Sequence, residues 1–132
     1  NNIRLTTKNG IYINNEKLNN YVIEEGSNGI WFYRKWSNGR LELYGYQNIS
    51  NAPCTTALGG WYRTGVMVAP SFPIPVINPK CVSNYESDGY GALVWATTTT
   101  TESRPSSYYL IRPTSSSGIT GVVYFYVTGT WE

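Results

Sequence analysis

Apolar and polar residues alternate along much of this chain, and no stretch supports a helix of useful length. The alternation is cleanest near the C-terminus. There Val123, Phe125 and Val127 point one way, and Val122, Tyr124, Tyr126 and Thr128 the other, the period of a half-buried strand. Two aromatic-rich segments, Ile30 to Trp36 and Arg40 to Tyr46, flank Ser37-Asn38-Gly39, and Asn-Gly supplies the two positive-φ positions of a type I′ hairpin turn. That two-residue turn predicts a register in which Trp36 faces Leu41, Lys35 faces Glu42, Arg34 faces Leu43 and Tyr33 faces Tyr44. The core side would then carry Ile30, Phe32, Arg34, Trp36, Leu41 and Leu43. Trp31, Tyr33, Lys35, Glu42, Tyr44 and Tyr46 would take the other.

Further strands are expected at Tyr21–Ile23, Trp61–Val68, from Cys81, at Gly91–Ala96 and at Tyr108–Arg112. Glu24 to Gly29 reads as a polar loop, and Gln47 to Gly60 as an exposed connection. Ala69 to Pro79 holds Pro70, Pro73, Pro75 and Pro79. Proline donates nothing to a ladder, so this stretch is an edge or a linker. In residues 1–20, Ile3 and Leu5, an Asn9-Gly10 turn and Ile11–Ile13 make a ribbon unable to bury its own face. Short strands with a turn signal every dozen residues indicate an all-β fold, an antiparallel β-sandwich knob spanning 21–132.

Composition agrees and narrows the function. Charged residues are 14% and aromatics 15% of 132 residues, with twelve tyrosines against three phenylalanines. Such a chain keeps hydroxyl and indole handles at a surface. The ten basic residues are dispersed and the net charge is +2, so the electrostatic footprint of a nucleic-acid partner is missing. No apolar run reaches the roughly 18 residues of a spanning helix, and no membrane insertion is expected. The chain starts Asn1-Asn2 rather than with Met, and is expected to be a piece of a longer protein.

Histidine is absent, which removes Ser-His and Cys-His nucleophilic schemes and leaves two cysteines without a zinc partner. No metal, cofactor or catalytic residue is expected, and no enzyme. Cys54 and Cys81 are either bonded, worth on the order of 3–4 kcal/mol, or packed as small hydrophobes. Trp36, Trp95 and Trp131 read as core or interface rings. Arg34, among apolar neighbours in the expected register, needs a carboxylate such as Glu24 or one from a neighbouring subunit.

The segment Trp31-Phe32-Tyr33-Arg34-Lys35-Trp36-Ser37-Asn38-Gly39-Arg40-Leu41-Glu42-Leu43-Tyr44-Gly45, after Glu24-Glu25-Gly26, resembles the C-terminal knob domain of bacteriophage tail fibres. Phe72-Pro73-Ile74-Pro75 and the ending Gly129-Thr130-Trp131 are similar to later elements of that family. The resemblance runs from about Tyr21 to the end, and Asn48 to Val68 departs from it. It implies a homotrimeric β-sandwich at the tip of a fibre on the virion tail, binding bacterial surface polysaccharide or protein. Residues 1–20 would be the end of the intertwined shaft. The alternatives are a free-standing carbohydrate-binding module of a secreted bacterial protein and a structural trimerisation cap. In the fibre reading the end of the knob remote from Tyr21 is free to bind. Two loops carry suitable chemistry, one with Tyr85, Glu86, Asp88 and Tyr90, the other with Arg104 and Tyr108. The first is favoured.

Overall fold

The computed structural model describes residues 3–6, 10–14, 16–17, 20–89 and 91–132. Among them there is no helix. The fold is an all-β sandwich of two antiparallel sheets, preceded by a separate ribbon. The ribbon is a three-stranded sheet of β1 (Ile3–Thr6), β2 (Gly10–Ile13) and β3 (Glu16–Lys17), with Ile3 opposite Ile13 and Thr6 opposite Gly10. Asn9 lies outside the described residues.

The larger sheet has the order β4-β5-β6-β12-β9, from β4 (Val22–Asn28), β5 (Trp31–Trp36), β6 (Arg40–Cys54), β9 (Ile77–Glu86) and β12 (Ser116–Thr130). Its spine is the long antiparallel pair β6–β12, running from Arg40 opposite Thr130 to Cys54 opposite Ser116. The smaller sheet has the order β10-β11-β8-β7, from β7 (Thr56–Leu58), β8 (Trp61–Arg63), β10 (Leu93–Ala96) and β11 (Tyr108–Arg112).

The core lies between them. Trp31, Leu41, Leu43, Val123, Phe125 and Val127 come from the larger sheet, Tyr108 and Leu110 from the smaller, and Phe72 and Val76 from the proline-rich connection. Each aliphatic side chain buried this way contributes roughly 1.5–3 kcal/mol. The alternation read in β12 holds: Val123, Phe125 and Val127 are buried and Tyr124 is exposed. Pro79 sits in β9, an edge of the sheet, as proline's missing donor requires.

The β5–β6 hairpin forms, but one residue out of the expected register. Lys35 faces Leu41, Arg34 faces Glu42, Tyr33 faces Leu43 and Phe32 faces Tyr44. The cause is the turn. Gly39 has φ 92°, while Asn38 is not among the positive-φ residues, so the I′ geometry is excluded. Gly39 N–H donates to the Trp36 carbonyl at 3.1 Å and Arg40 N–H to Asn38 Oδ1 at 3.0 Å. A three-residue loop with glycine in the left-handed position results. A one-residue slip turns every side chain over. Trp31, Tyr33 and Lys35 therefore share the inner face with Leu41 and Leu43, and Phe32, Arg34 and Trp36 share the outer face with Glu42 and Tyr44.

Three other expectations change. Glu24 to Asn28 is part of β4 rather than a loop, paired to β5 from Val22 opposite Trp36 to Asn28 opposite Trp31. Gln47 to Cys54 continues β6, held by β12, instead of forming an exposed connection. The strand expected at Trp61–Val68 ends at Arg63. Beyond it only Met67 makes a bridge, to Tyr108.

Candidate functional site

The sequence-selected residues divide by burial. Tyr85 is 7% exposed, its ring lying against Gly121 and its hydroxyl buried without a hydrogen-bond partner among the described residues. Tyr108 is 1% exposed, packs on Phe125 at 6.0 Å and donates to Gln47 Oε1 at 2.6 Å; burial pushes its phenol up to about 12. Both rings belong to the core, which removes them from a binding surface. Strand alternation dictated this: each sits on the inward parity of its strand. Glu86 and Asp88 are exposed, and Tyr90 lies outside the described residues. Arg104 is exposed and donates to Ser71 Oγ at 3.0 Å.

Glu86 pairs with Val122 at one end of the larger sheet, whereas Tyr21 is bonded to Ser37, beside the β5–β6 turn at the other. The 101–107 loop is tied to the proline-rich connection, with Phe72 N–H donating to the Ser103 carbonyl and Val76 N–H to that of Glu102. Cys54 and Cys81 are free thiols on different strands of the larger sheet, both raised in pKa by burial.

On the outer face of the larger sheet, the charges of β4, β5 and the start of β6 pair with one another, while Lys80 and Glu86 of β9 stand exposed on the same face. Arg34 pairs with Glu25 at 3.1 Å and with Glu42 at 3.5 Å, and Arg40 with Glu42 at 3.4 Å. Trp36 Nε1 donates to Glu42 at 3.1 Å. Arg34 has its carboxylates, though they are Glu25 and Glu42 rather than Glu24. Glu24 instead accepts from Tyr33 at 2.9 Å, raising that phenol, and meets Lys35 at 3.5 Å.

Two ring-lined surfaces remain. On the outer face of the smaller sheet, Leu93 is 59% exposed, Trp95 50% and Trp61 39%. With Leu58, Gly59 and Ile111 they line a hollow of about 510 Å³. Next to it the Arg63 guanidinium stacks on Tyr109 at 4.4 Å, its charge occupied by the ring face. Sequence reasoning missed Trp61 and left Trp95 as a core or interface ring; its half exposure removes the core alternative. In Leu93-Val94-Trp95 both parities are apolar, so alternation carried no direction; pairing sends Val94 to the core.

On the outer face of the larger sheet, rings line up across strands: Phe32 to Tyr44 at 6.4 Å and Tyr44 to Tyr126 at 5.1 Å. Burial, then the Glu42 charge, raise the Tyr44 phenol. A second row, Tyr46, Tyr124 and Asn84, follows two residues along. Between the rows runs a slot of about 260 Å³. Among the described residues no group of three or more Cys, Asp or Glu side chains is placed to hold a metal. Rings in quantity, with neither hollow nor slot lined by a carboxylate, suit recognition of a surface. The class so defined is an antiparallel β-sandwich with aromatic outer faces. Compared with protein-family models, with curated proteins and with solved structures, the chain matches none.

Proposed function

We propose that the chain is the receptor-binding tip of a bacteriophage tail fibre, a homotrimer on the virion tail that attaches to a bacterial surface polysaccharide or protein. The observation that carries the reading is the exposed Trp61–Leu93–Trp95 hollow. A monomeric protein rarely leaves so large an apolar surface open unless something binds there. Two further features support it. The segment resembling tail-fibre knobs is the β5–β6 hairpin, and the ribbon of residues 3–17 is a sheet of its own ahead of the sandwich.

The test is attachment of the purified protein to host cells, with its mass in solution measured by light scattering. Replacing Trp61 and Trp95 by alanine together should abolish attachment while the mass stays that of a trimer. Unchanged attachment rejects the hollow as the receptor contact, and a monomeric parent rejects the fibre tip. One observation favours a second reading, the trimerisation cap: the hollow's lining offers no charged group and, apart from the indole N–H groups, no side-chain hydrogen-bonding group. Under that reading the double variant dissociates.

A further inference from the structure

We propose that the slot between Tyr44, Tyr124 and Tyr126 is a binding site for a single uncharged hexose unit of a glycan. The inference rests on the adhesive reading only for where the sugar comes from.

The slot's construction follows from strand pairing. Phe125 lies opposite Gly45 on one side and Ser83 on the other. Phe125 is buried on the inner face and Gly45 abuts Trp31 there, so these three residues offer the slot only backbone, as a floor. One wall is the row Tyr44–Tyr126–Val82, the other Tyr124–Asn84. Two residues along a strand separate the rows by about 6.6–6.8 Å. At about 260 Å³ the space is below the roughly 300–1,000 Å³ typical of pockets for drug-sized ligands, which suits one ring rather than a chain segment.

The chemistry narrows the occupant. Within the floor, β6, β12 and β9 have spent their facing backbone groups on one another, so a peptide lying in the slot finds no ladder to join; the one free ladder side, on edge strand β9, lies outside it. A saturated sugar needs none. Its C–H faces lie on aromatic rings, and its hydroxyls meet side-chain tips. Those tips are present. The Tyr124 hydroxyl and the Asn84 carboxamide make no hydrogen bond among the described residues and are exposed. The Tyr126 hydroxyl accepts from Arg40 at 3.2 Å, leaving its proton to donate outward. The slot lining holds no formal charge, and nearby Arg40 is committed to Glu42. Lys80 and Glu86 stand two residues beyond Val82 and Asn84 on the same face, so an ionised sugar would meet one charge of each sign at the rims and none in the lining, which favours a neutral one.

The test uses the full chain, isotope-labelled, titrated with the methyl glycosides of glucose, galactose, mannose and N-acetylglucosamine and followed by amide NMR. At least one should shift the Asn84 side-chain amide and the backbone amides of Gly45 and Phe125 with a millimolar Kd. Tyr124→Ala and Asn84→Ala should each weaken that sugar about tenfold or more with the rest of the spectrum preserved. Trp95→Ala should leave it unchanged. The proposal is overturned if no glycoside shifts those amides, if the shifts fall on the Trp61 and Trp95 indoles instead, or if Tyr124→Ala splits the oligomer. Cell attachment by the parent protein is scored separately. Attachment without slot shifts sinks the slot alone, and slot shifts without attachment sink the adhesive reading alone.

Discussion

Replacing Gly45 by alanine tests the corrected register where it is least forgiving. In β6 Gly45 lies opposite Trp31, and an added Cβ would stand 2.5 Å from both Cε3 and Cζ3 of that indole. The ring has nowhere to retreat. It is 2% exposed, its Nε1 donates to the Pro70 carbonyl at 3.1 Å, and it meets Phe72 edge-on at 5.1 Å and Phe125 at 5.7 Å. Forcing a methyl into such packing costs about 1–3 kcal/mol. At ~2.1 cal/mol/K per residue, the 132 residues unfold with about 0.28 kcal/mol/K, so the melting temperature should fall by about 4–11 °C. Gly60→Ala is the control: it meets nothing within 4 Å and has no positive φ, and should be neutral or gain about 0.4–1 kcal/mol. Scanning fluorimetry and near-ultraviolet circular dichroism give the numbers. In a Trp31→Phe background the penalty should shrink, since neighbours in contact are not additive. A Gly45→Ala protein melting with the parent would refute the packing argument, and with it the placing of Trp31 on the inner face.

The remaining expectations concern charge and assembly. Tyr108 stays protonated to about pH 12 in the fold, while an unfolded tyrosine ionises near 10. The unfolded chain therefore sheds its proton first, and up to about 2–3 kcal/mol of stability present below pH 10 is lost between pH 10 and 12. Tyr108→Phe should flatten that decline in pH-dependent urea melts; an identical profile would assign the alkaline loss elsewhere. Glu42→Gln should cost about 1–2 kcal/mol, the low end for a buried charge because Arg34 and Arg40 stay partly in water, and a double-mutant cycle with Arg34→Ala should show coupling; additivity would deny the pair. If the proposed trimer forms, deleting residues 1–20 should leave the sandwich folded and lower the trimer's stability in dilution experiments, whereas an unfolded product would make the ribbon part of the sandwich.

How far the sequence carried depended on whether the two parities of a strand differed. In β12 they do, and both the strand and its inward set were legible. Tyr108–Arg112 was legible to the residue, bounded by Pro113 and a serine-rich loop. In β5 both parities are aromatic, so nothing in the hydrophobic pattern chose between registers. The choice fell to Asn38-Gly39, a dipeptide that serves a two-residue turn and a three-residue loop alike. The site suffered in the same way. Tyr85 and Tyr108 were chosen for lying next to loops, yet adjacency to a loop does not set parity, and pairing turned both inward. Tyr124 and Tyr126 were read on the correct face of β12, but their partnership with Tyr44 needs the β6–β12 register, which joins residues some eighty apart in sequence.

The excess of tyrosine over phenylalanine follows the faces of the sheet. Of the three phenylalanines, Phe72 and Phe125 are buried and Phe32 is half-buried beside Tyr44, with the Arg34 guanidinium 5.5 Å above it. The exposed rings of the larger sheet are Tyr44, Tyr46 and Tyr124. Ring and hydroxyl are thus sorted by face. Where a ring faces the core it is Trp, Phe or Tyr, with the Tyr108 hydroxyl partnered by Gln47 and that of Tyr85 left without a partner among the described residues. In the outer rows of the larger sheet Tyr44, Tyr46, Tyr124 and Tyr126 carry an oxygen each, and the row's one oxygen-free ring, Phe32, is half-buried. A solubility requirement alone would be met at lower cost by lysine, glutamate or threonine on that face, as edge and surface positions ordinarily are. Rows of tyrosine are the costlier solution. They retain a flat, apolar, hydrogen-bonding surface that lysine or glutamate rows could not offer, and four of the twelve tyrosines stand in them.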